Sequence, residues 1–522
     1  MVRAPTEVRT RGATRGAWAR TSPGRWRVAP VAAALAVAAV LSAASGGSSA
    51  TVYDSRDAAL RREVGKVMAD PRVTASTARV GMVVADASTR RPVYLRGADT
   101  PLAPASTQKA FTAAAALTRL GPGFRWTTDA YAAPVGAGGV VPGRLYLKGS
   151  GDPTLLERDL SSLVAGLRAK GVKRITGDVV ADASAFDEVR YNPYWSTSYA
   201  SSYYAGQVSA LTLSPDTDYD AGTVIVTASP GTSTSALPRI TVTPASAASH
   251  LRIVNRSRTS ASGTATTIAV SRAGGTNTVT VTGQVPVRHT AARKWVTVDN
   301  PALMVGRALR SRLVAAGIRV DGTAVRGTTP SGRTLLARHY SMTLGQLMVP
   351  FLKLSNNSHA EAITKTLGHR TGRPGSWADG TSALRAYAAG IGIPTSGLRF
   401  VDGSGLARAN RLTPGQLALL LDKAQRASWW PTFRAALPVA GVDPVRWQGG
   451  TLASRMRATP AAGNLRAKNG SLTGVTSLAG YVNGADGRRY VFVMMSSFSG
   501  TSPRPVEDRL GMLLARWRMT NR

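Results

Sequence analysis

The chain has 522 residues, no cysteine, 43 % hydrophobic residues and a formal net charge of +37. Its length exceeds what one core supports, so two or three domains are expected. The lack of cysteine excludes thiol catalysis, cysteine metal sites and disulfides, and the charge favours anionic partners.

Residues 1–27 carry seven arginines and one glutamate, and an apolar run of 17 residues follows from Val28 to Ala44, then "SGGSSA". Basic, then apolar, then small residues is the layout of a secretory signal. The run also reaches the short end of a membrane span, so an uncleaved anchor is the rival reading. Residues 1–50 are therefore read as a signal peptide or anchor plus linker, which puts the rest outside the cytoplasm. The positive residues are scattered, and no nucleic-acid fold motif or aromatic–basic repeat is visible. Anionic cell-wall polymer is thus preferred to nucleic acid as a neighbour.

Next comes a helical pattern over Tyr53–Pro71, with Leu60, Val64 and Val67 or Met68 on one face. "ARVGMVVADASTRRPVYLRG" predicts a hairpin, with strands near Arg79–Asp86 and Pro92–Arg96. An alanine-rich helix follows Ser106. From about Thr127 to Val320 the texture turns to short Val/Thr runs, interrupted by the aromatic, serine-rich stretch Trp195–Leu211. Helical patterns then return, with a break expected at Ser355–Asn357. The end predicts two strand regions and an amphipathic helix bearing Val506, Leu510, Leu513, Leu514 and Trp517. Helix and hairpin material brackets a β-rich middle. The economical architecture is one α/β domain built from both chain ends, with other domains inserted into it.

"PASTQKAFTAAAAL" places Lys109 three residues after Ser106. Residues three apart share a helix face. A serine at a helix start has a free N–H and the positive end of the dipole behind it, so it suits a nucleophile with half an oxyanion hole. A partly desolvated lysine beside it has a lowered pKa and can take its proton. The plain alternative is a capped helix with a snorkelling lysine. "KLSNNSHAE" puts Ser355 and Asn357 in a helix break, where a hydroxyl and an amide can relay a proton and grip a substrate amide. "AKNGSLTG" puts Lys468 on a strand, positively charged for a substrate carboxylate. Gly470 there lets another backbone come close, and the Ser471 N–H can complete an oxyanion hole.

These three stations, in this order, resemble the SxxK, SxN and KTG set of penicillin-recognising serine enzymes. More narrowly the chain resembles the D-alanyl-D-alanine carboxypeptidase/endopeptidase family, the class C low-molecular-mass penicillin-binding proteins. "PASTQK", "LKGSGDPTL", "GDVVADASAFD", "SNNSHAE" and "VDGSGLARANRLTP" carry the likeness, as does the gap of 249 residues between Ser106 and Ser355. The resemblance implies an α/β transpeptidase-like domain (51–127 and 320–522) with two nested β-rich insertions, 128–149 with 219–319 and, inside that, 150–218. It implies Ser106 as acylated nucleophile, Lys109 as base, Ser355 and Asn357 in relay and substrate holding, and Lys468 facing the terminal carboxylate. Asn469, Gly470 and Ser471 line the substrate strand. Leu406 and Arg408 of "DGSGLAR" and Tyr203 or Tyr204 from the insertions, Tyr204 preferred, are expected at the rim. Asn469 stands where the family has threonine; an amide can donate to the carboxylate too, with a different reach and larger volume. No acidic residue lies in "STSYASS", where one would bind the amino end of a diaminopimelate side chain.

The five histidines show no metal spacing, His359 is read as structural, and no metal or organic cofactor is implied. The expected activity is an exported serine peptidase acting on peptidoglycan stem peptides, as carboxypeptidase or on cross-links, and acylated by β-lactam antibiotics. The alternatives are a β-lactamase or esterase of the same superfamily, or a cell-wall-binding protein with a weakened site.

Overall fold

A computed structural model describes residues 53–442 and 446–518. The signal or anchor expected over 1–50 lies outside the described residues.

Portions from the N-terminal and C-terminal parts of the described chain meet in one five-stranded antiparallel sheet. Its order is Arg466–Leu472, Val475–Asn483, Arg489–Phe498, Ala78–Asp86, Pro92–Arg96. The expected hairpin is present, and Asp86 Oδ1 closes its turn by accepting from the Ser88 and Thr89 N–H groups. Ala78–Asp86 runs antiparallel to Arg489–Phe498 with Met82 opposite Met494, which joins the N-terminal and C-terminal portions of the chain.

Val475–Asn483 and Arg489–Phe498 are buried on both faces, because helices cover both sides of the sheet. One side carries helices Ala58–Val67 and Arg504–Arg516, through Leu60, Val64, Leu510 and Leu514. Trp517, expected on the last helix, lies just past its end. The other side carries Lys109–Arg119, Leu344–Lys353, Asn357–His369, Trp377–Gly390 and Pro414–Ala424. Ala110 and Ala113 to Ala116 are fully or almost fully buried, so the alanine run lets neighbouring elements approach on every face of its helix.

The middle of the chain forms a second core from Ala130 to Leu336. A five-stranded mixed sheet there draws on Ala324–Arg326, Val179–Asp182, Leu145–Gly149, Thr127–Ala132 and Thr334–Tyr340. It unites strands from all three spans set apart on sequence, since boundaries near 150, 218 and 320 cut across its ladder. Texture and the resemblance mark stretches along the chain, and pairing partners far apart in sequence are not written in either. A smaller aromatic cluster, including Phe186, Trp195, Trp377 and Leu406, joins the Ala183–Ala210 region to the sheet-and-helix body.

Candidate active site

Ala105 takes a left-handed conformation (φ 48°) and starts a 3-10 turn, Ala105–Gln108, that feeds the helix Lys109–Arg119. In a 3-10 turn residues i and i+3 eclipse, which carries Lys109 directly beneath Ser106. Lys109 Nζ is 2.9 Å from Ser106 Oγ, 2.6 Å from Asn357 Oδ1 and 2.9 Å from the Ser404 carbonyl. The lysine is fully buried. Burial pushes its pKa down to about 7, against the upward pull of Glu361 and Asp402.

That geometry assigns the lone pair. The Asn357 and Ser404 oxygens only accept, so a neutral Lys109 amine gives them its two N–H groups. The remaining direction faces Ser106 Oγ, whose hydroxyl donates to it.

Asn357 is the first residue of its helix, with Asn356 as cap. Its Nδ2 donates to the Tyr204 carbonyl at 2.8 Å, so the aromatic stretch reaches the site through main chain. Ser355 has a left-handed backbone (φ 59°) in the turn before this helix. Its hydroxyl makes no hydrogen bond among the described residues, so the structure does not join it to Lys109 as it joins Asn357.

Lys468 is buried on the edge strand of the main sheet. Its Nζ donates to the Asn469 carbonyl at 2.8 Å. Burial first, and then the charge on Lys109, lower its pKa well below the ordinary lysine value. Gly470 is tightly packed: a Cβ there would meet Ser477 Oγ at 2.3 Å and the Pro104 carbonyl at 2.8 Å. The close approach expected of this glycine is therefore toward the segment that carries Ser106. The Ala467 N–H donates away from the sheet to the Pro438 carbonyl. Antiparallel strands alternate in this respect, so the Ser471 N–H also points to the outer edge. Ser106 N–H likewise has no main-chain partner among the described residues. The Ser471 hydroxyl accepts from Arg504 at 3.1 Å.

Sequence reasoning missed the loop Asp402–Arg408 as a structural support of Lys109. Gly405 has φ 82°, and a Cβ there would meet the Ala105 carbonyl at 1.9 Å. Glu361 accepts from the Gly403 and Ser404 N–H groups and from Trp377 Nε1. Asp402 accepts from the Gly405 and Ala407 N–H groups, Asn410 Nδ2 and Trp195 Nε1. Thr112 Oγ1 donates to the Gly403 carbonyl. Glu361 is fully buried; burial, and then Asp402, raise its pKa to about 7. One signal was available, since Glu361 lies four residues after Asn357 and so shares its helix face.

The rim residues divide. Leu406 is buried in the aromatic cluster beneath the rim, so its side chain packs inward. Arg408 is exposed and donates to the Thr473 carbonyl, tying this loop to the turn that follows the edge strand. Tyr204 is partly exposed and stacks edge-on with Tyr199 and Tyr203. His359 is buried and pairs through Nε2 with the Tyr219 carbonyl; burial lowers its pKa to about 3. Among the described residues no group of three His, Cys, Asp or Glu side chains could hold a metal ion, and no helix is long and apolar enough to cross a membrane.

An α/β sheet-and-helix body with a serine, a buried lysine and a second lysine on the edge strand defines the class of penicillin-recognising serine hydrolases. Within that class, residues 60–517 match the D-Ala-D-Ala carboxypeptidase 3 (S13) family, and the chain belongs to it. It is 36 % identical over 495 residues to the D-alanyl-D-alanine carboxypeptidase of Actinomadura sp. (strain R39), covering 93 % of this chain and 90 % of that protein. It is 28 % identical to carboxypeptidase DacB of Mycolicibacterium smegmatis, over 86 % of this chain and 82 % of the relative. The crystal structure of penicillin binding protein 4 (dacB) from Haemophilus influenzae shares the fold, with a TM-score of 0.72 at 24 % identity over 86 % of this chain and 97 % of that one. The same protein has been solved with a β-lactam bound. The chain is thus a serine D-Ala-D-Ala carboxypeptidase.

Proposed function

We propose that this carboxypeptidase is exported, cleaves the D-Ala-D-Ala terminus of peptidoglycan stem peptides through an ester on Ser106, and is acylated by penicillins. The observation that carries the reading is the position of Lys109, held by Asn357 and Ser404 with its free direction on Ser106 Oγ.

Lys109 takes the Ser106 proton as Oγ attacks the carbonyl carbon of the penultimate D-alanine. The Ser106 and Ser471 N–H groups face the developing oxyanion. The proton passes to the amine of the departing D-alanine as the peptide bond breaks. Water then attacks the ester, gives a proton back through Lys109, and frees Ser106. Lys468 and Asn469 hold the terminal carboxylate, Asn357 orients the substrate backbone, and Ser355 enters the proton relay once substrate fills the cleft. Arg408 and Tyr204 border the donor peptide. When the departing amine belongs to a neighbouring stem peptide, the same steps open a cross-link. The basic and then apolar N-terminal segment supports export, and the excess of positive charge suits a wall rich in anionic polymer.

The test is labelling with fluorescent penicillin, followed by mass analysis of peptidoglycan after digestion. The reading requires a stable label on Ser106 and loss of one D-alanine per pentapeptide stem. Rapid turnover of the label, or an unchanged digest, contradicts it.

A further inference from the structure

On the strand carrying Lys468, Asn469 stands where the resemblance implies threonine, and the structure shows what that amide touches. Thr451 Oγ1 donates to Asn469 Oδ1 at 2.5 Å, and Lys468 Nζ lies 3.4 Å from the same oxygen. Lys468 Nζ, which donates to the Asn469 carbonyl, sets a further N–H beside Oδ1 and so fixes the amide orientation, because the flipped form would set NH2 against an N–H donor. Asn469 Nδ2 therefore points the other way, and it has no hydrogen-bond partner among the described residues. Two N–H donors are left at the edge strand beside Lys468.

The turn that bears Thr451 is rigidly placed. Gly450 has φ 55°, and a Cβ there would meet the Lys353 carbonyl at 2.4 Å. Lys353 Nζ reaches back to the Gln448 carbonyl at 2.7 Å and to the Leu437 carbonyl. Thr451 is thus anchored to the helix that ends just before Ser355.

We infer that Thr451 is a positioning residue for substrate recognition: its hydroxyl holds Asn469 Oδ1 so that Asn469 Nδ2 donates to the terminal carboxylate of the substrate. The hydroxyl thus acts on the carboxylate site from a neighbouring turn, through an amide. This rests on the proposed carboxylate role of Lys468 and on Ser106 as nucleophile. It makes Asn469 a binding group in its own right, whose replacement by the shorter threonine would leave Thr451 without an acceptor.

The test compares two substrates on the full chain. One is a peptide ending in D-Ala-D-Ala with a free carboxylate. The other is a D-alanyl thioester with an uncharged leaving group. The quantity read is the ratio of their kcat/KM values. One hydrogen bond to a charged group corresponds to about tenfold, so Thr451→Val should lower the ratio about tenfold, and Thr451→Ser should restore it. Asn469→Ala should lower it at least as far without disturbing the Thr451 turn, which keeps the test decisive if Thr451→Val folds poorly. An unchanged ratio in either variant, or equal losses on both substrates, overturns the inference. Ser106→Ala is assayed alongside; if it still turns over both substrates, the nucleophile assignment has failed instead.

Discussion

Glu361 and Lys109 hold the same residue, Ser404, from opposite ends: Glu361 Oε1 accepts from the Ser404 N–H at 2.8 Å, and Lys109 Nζ donates to the Ser404 carbonyl at 2.9 Å. The buried carboxylate thus steadies the acceptor that aims the lysine lone pair, while its charge favours the protonated lysine. Position and basicity are set by one residue in opposite senses.

The pH profile should show this. As the proposed base Lys109 works only when neutral, and Lys109 and Glu361 both titrate at about 7, so kcat/KM should rise with pH along a limb near 7 that belongs to the pair. Glu361→Gln removes a charge that raises the lysine pKa, so the limb should move to lower pH. It should also lose rate on the plateau, because one carboxylate oxygen that accepts from the loop becomes a donor. A limb that stays in place, or moves upward, would separate Glu361 from the base.

Ser106→Ala should abolish penicillin labelling and D-alanine release while the protein stays folded. Lys109→Ala should cost about as much, because nucleophile and base act as a unit and their losses do not add. The double variant, assayed by D-alanine release, should be no worse than either single one. A Lys109→Ala enzyme retaining most of its rate would place the base elsewhere.

Gly470→Ala puts a methyl 2.3 Å from Ser477 Oγ and 2.9 Å from Ala105 Cβ. The edge strand must then move off the turn that holds Ser106. Overpacking of this kind costs about 1–3 kcal/mol, and the acylation rate should fall by a larger factor than the stability change, because a misplacement of about 1 Å costs roughly a hundredfold in rate. Thermal melts paired with stopped-flow acylation decide it; a normal acylation rate would show that the strand does not set the site.

Trp195→Phe removes the indole N–H that Asp402 Oδ2 accepts at 2.9 Å. Asp402 is fully buried, and a hydrogen bond to a charged group contributes about 1.5–3 kcal/mol. Chemical denaturation should show a loss in that range. No change in the midpoint would mean that this hydrogen bond adds nothing to stability.

Several features are legible in the sequence by itself. Ser106 and Lys109 are three residues apart, so backbone geometry alone sets them side by side. The hairpin Ala78–Asp86 to Pro92–Arg96 and the helix Arg504–Arg516 follow from hydrophobic period and turn residues. The family is carried by short motifs whose order and spacing survive in one dimension. Tertiary structure decided the rest, because it depends on contacts between residues hundreds of positions apart. Ser404 meets Lys109 across 295 residues, and Trp195 meets Asp402 across 207. Thr451 finds Asn469 because a turn is anchored on Lys353, and the ladder that joins 127–132 to 334–340 crosses the change of texture near Val320. Local propensity and motif spacing are properties of neighbours along the chain, whereas the environment that lowers a lysine pKa, orients an amide or buries a carboxylate is made by elements that become neighbours only on folding.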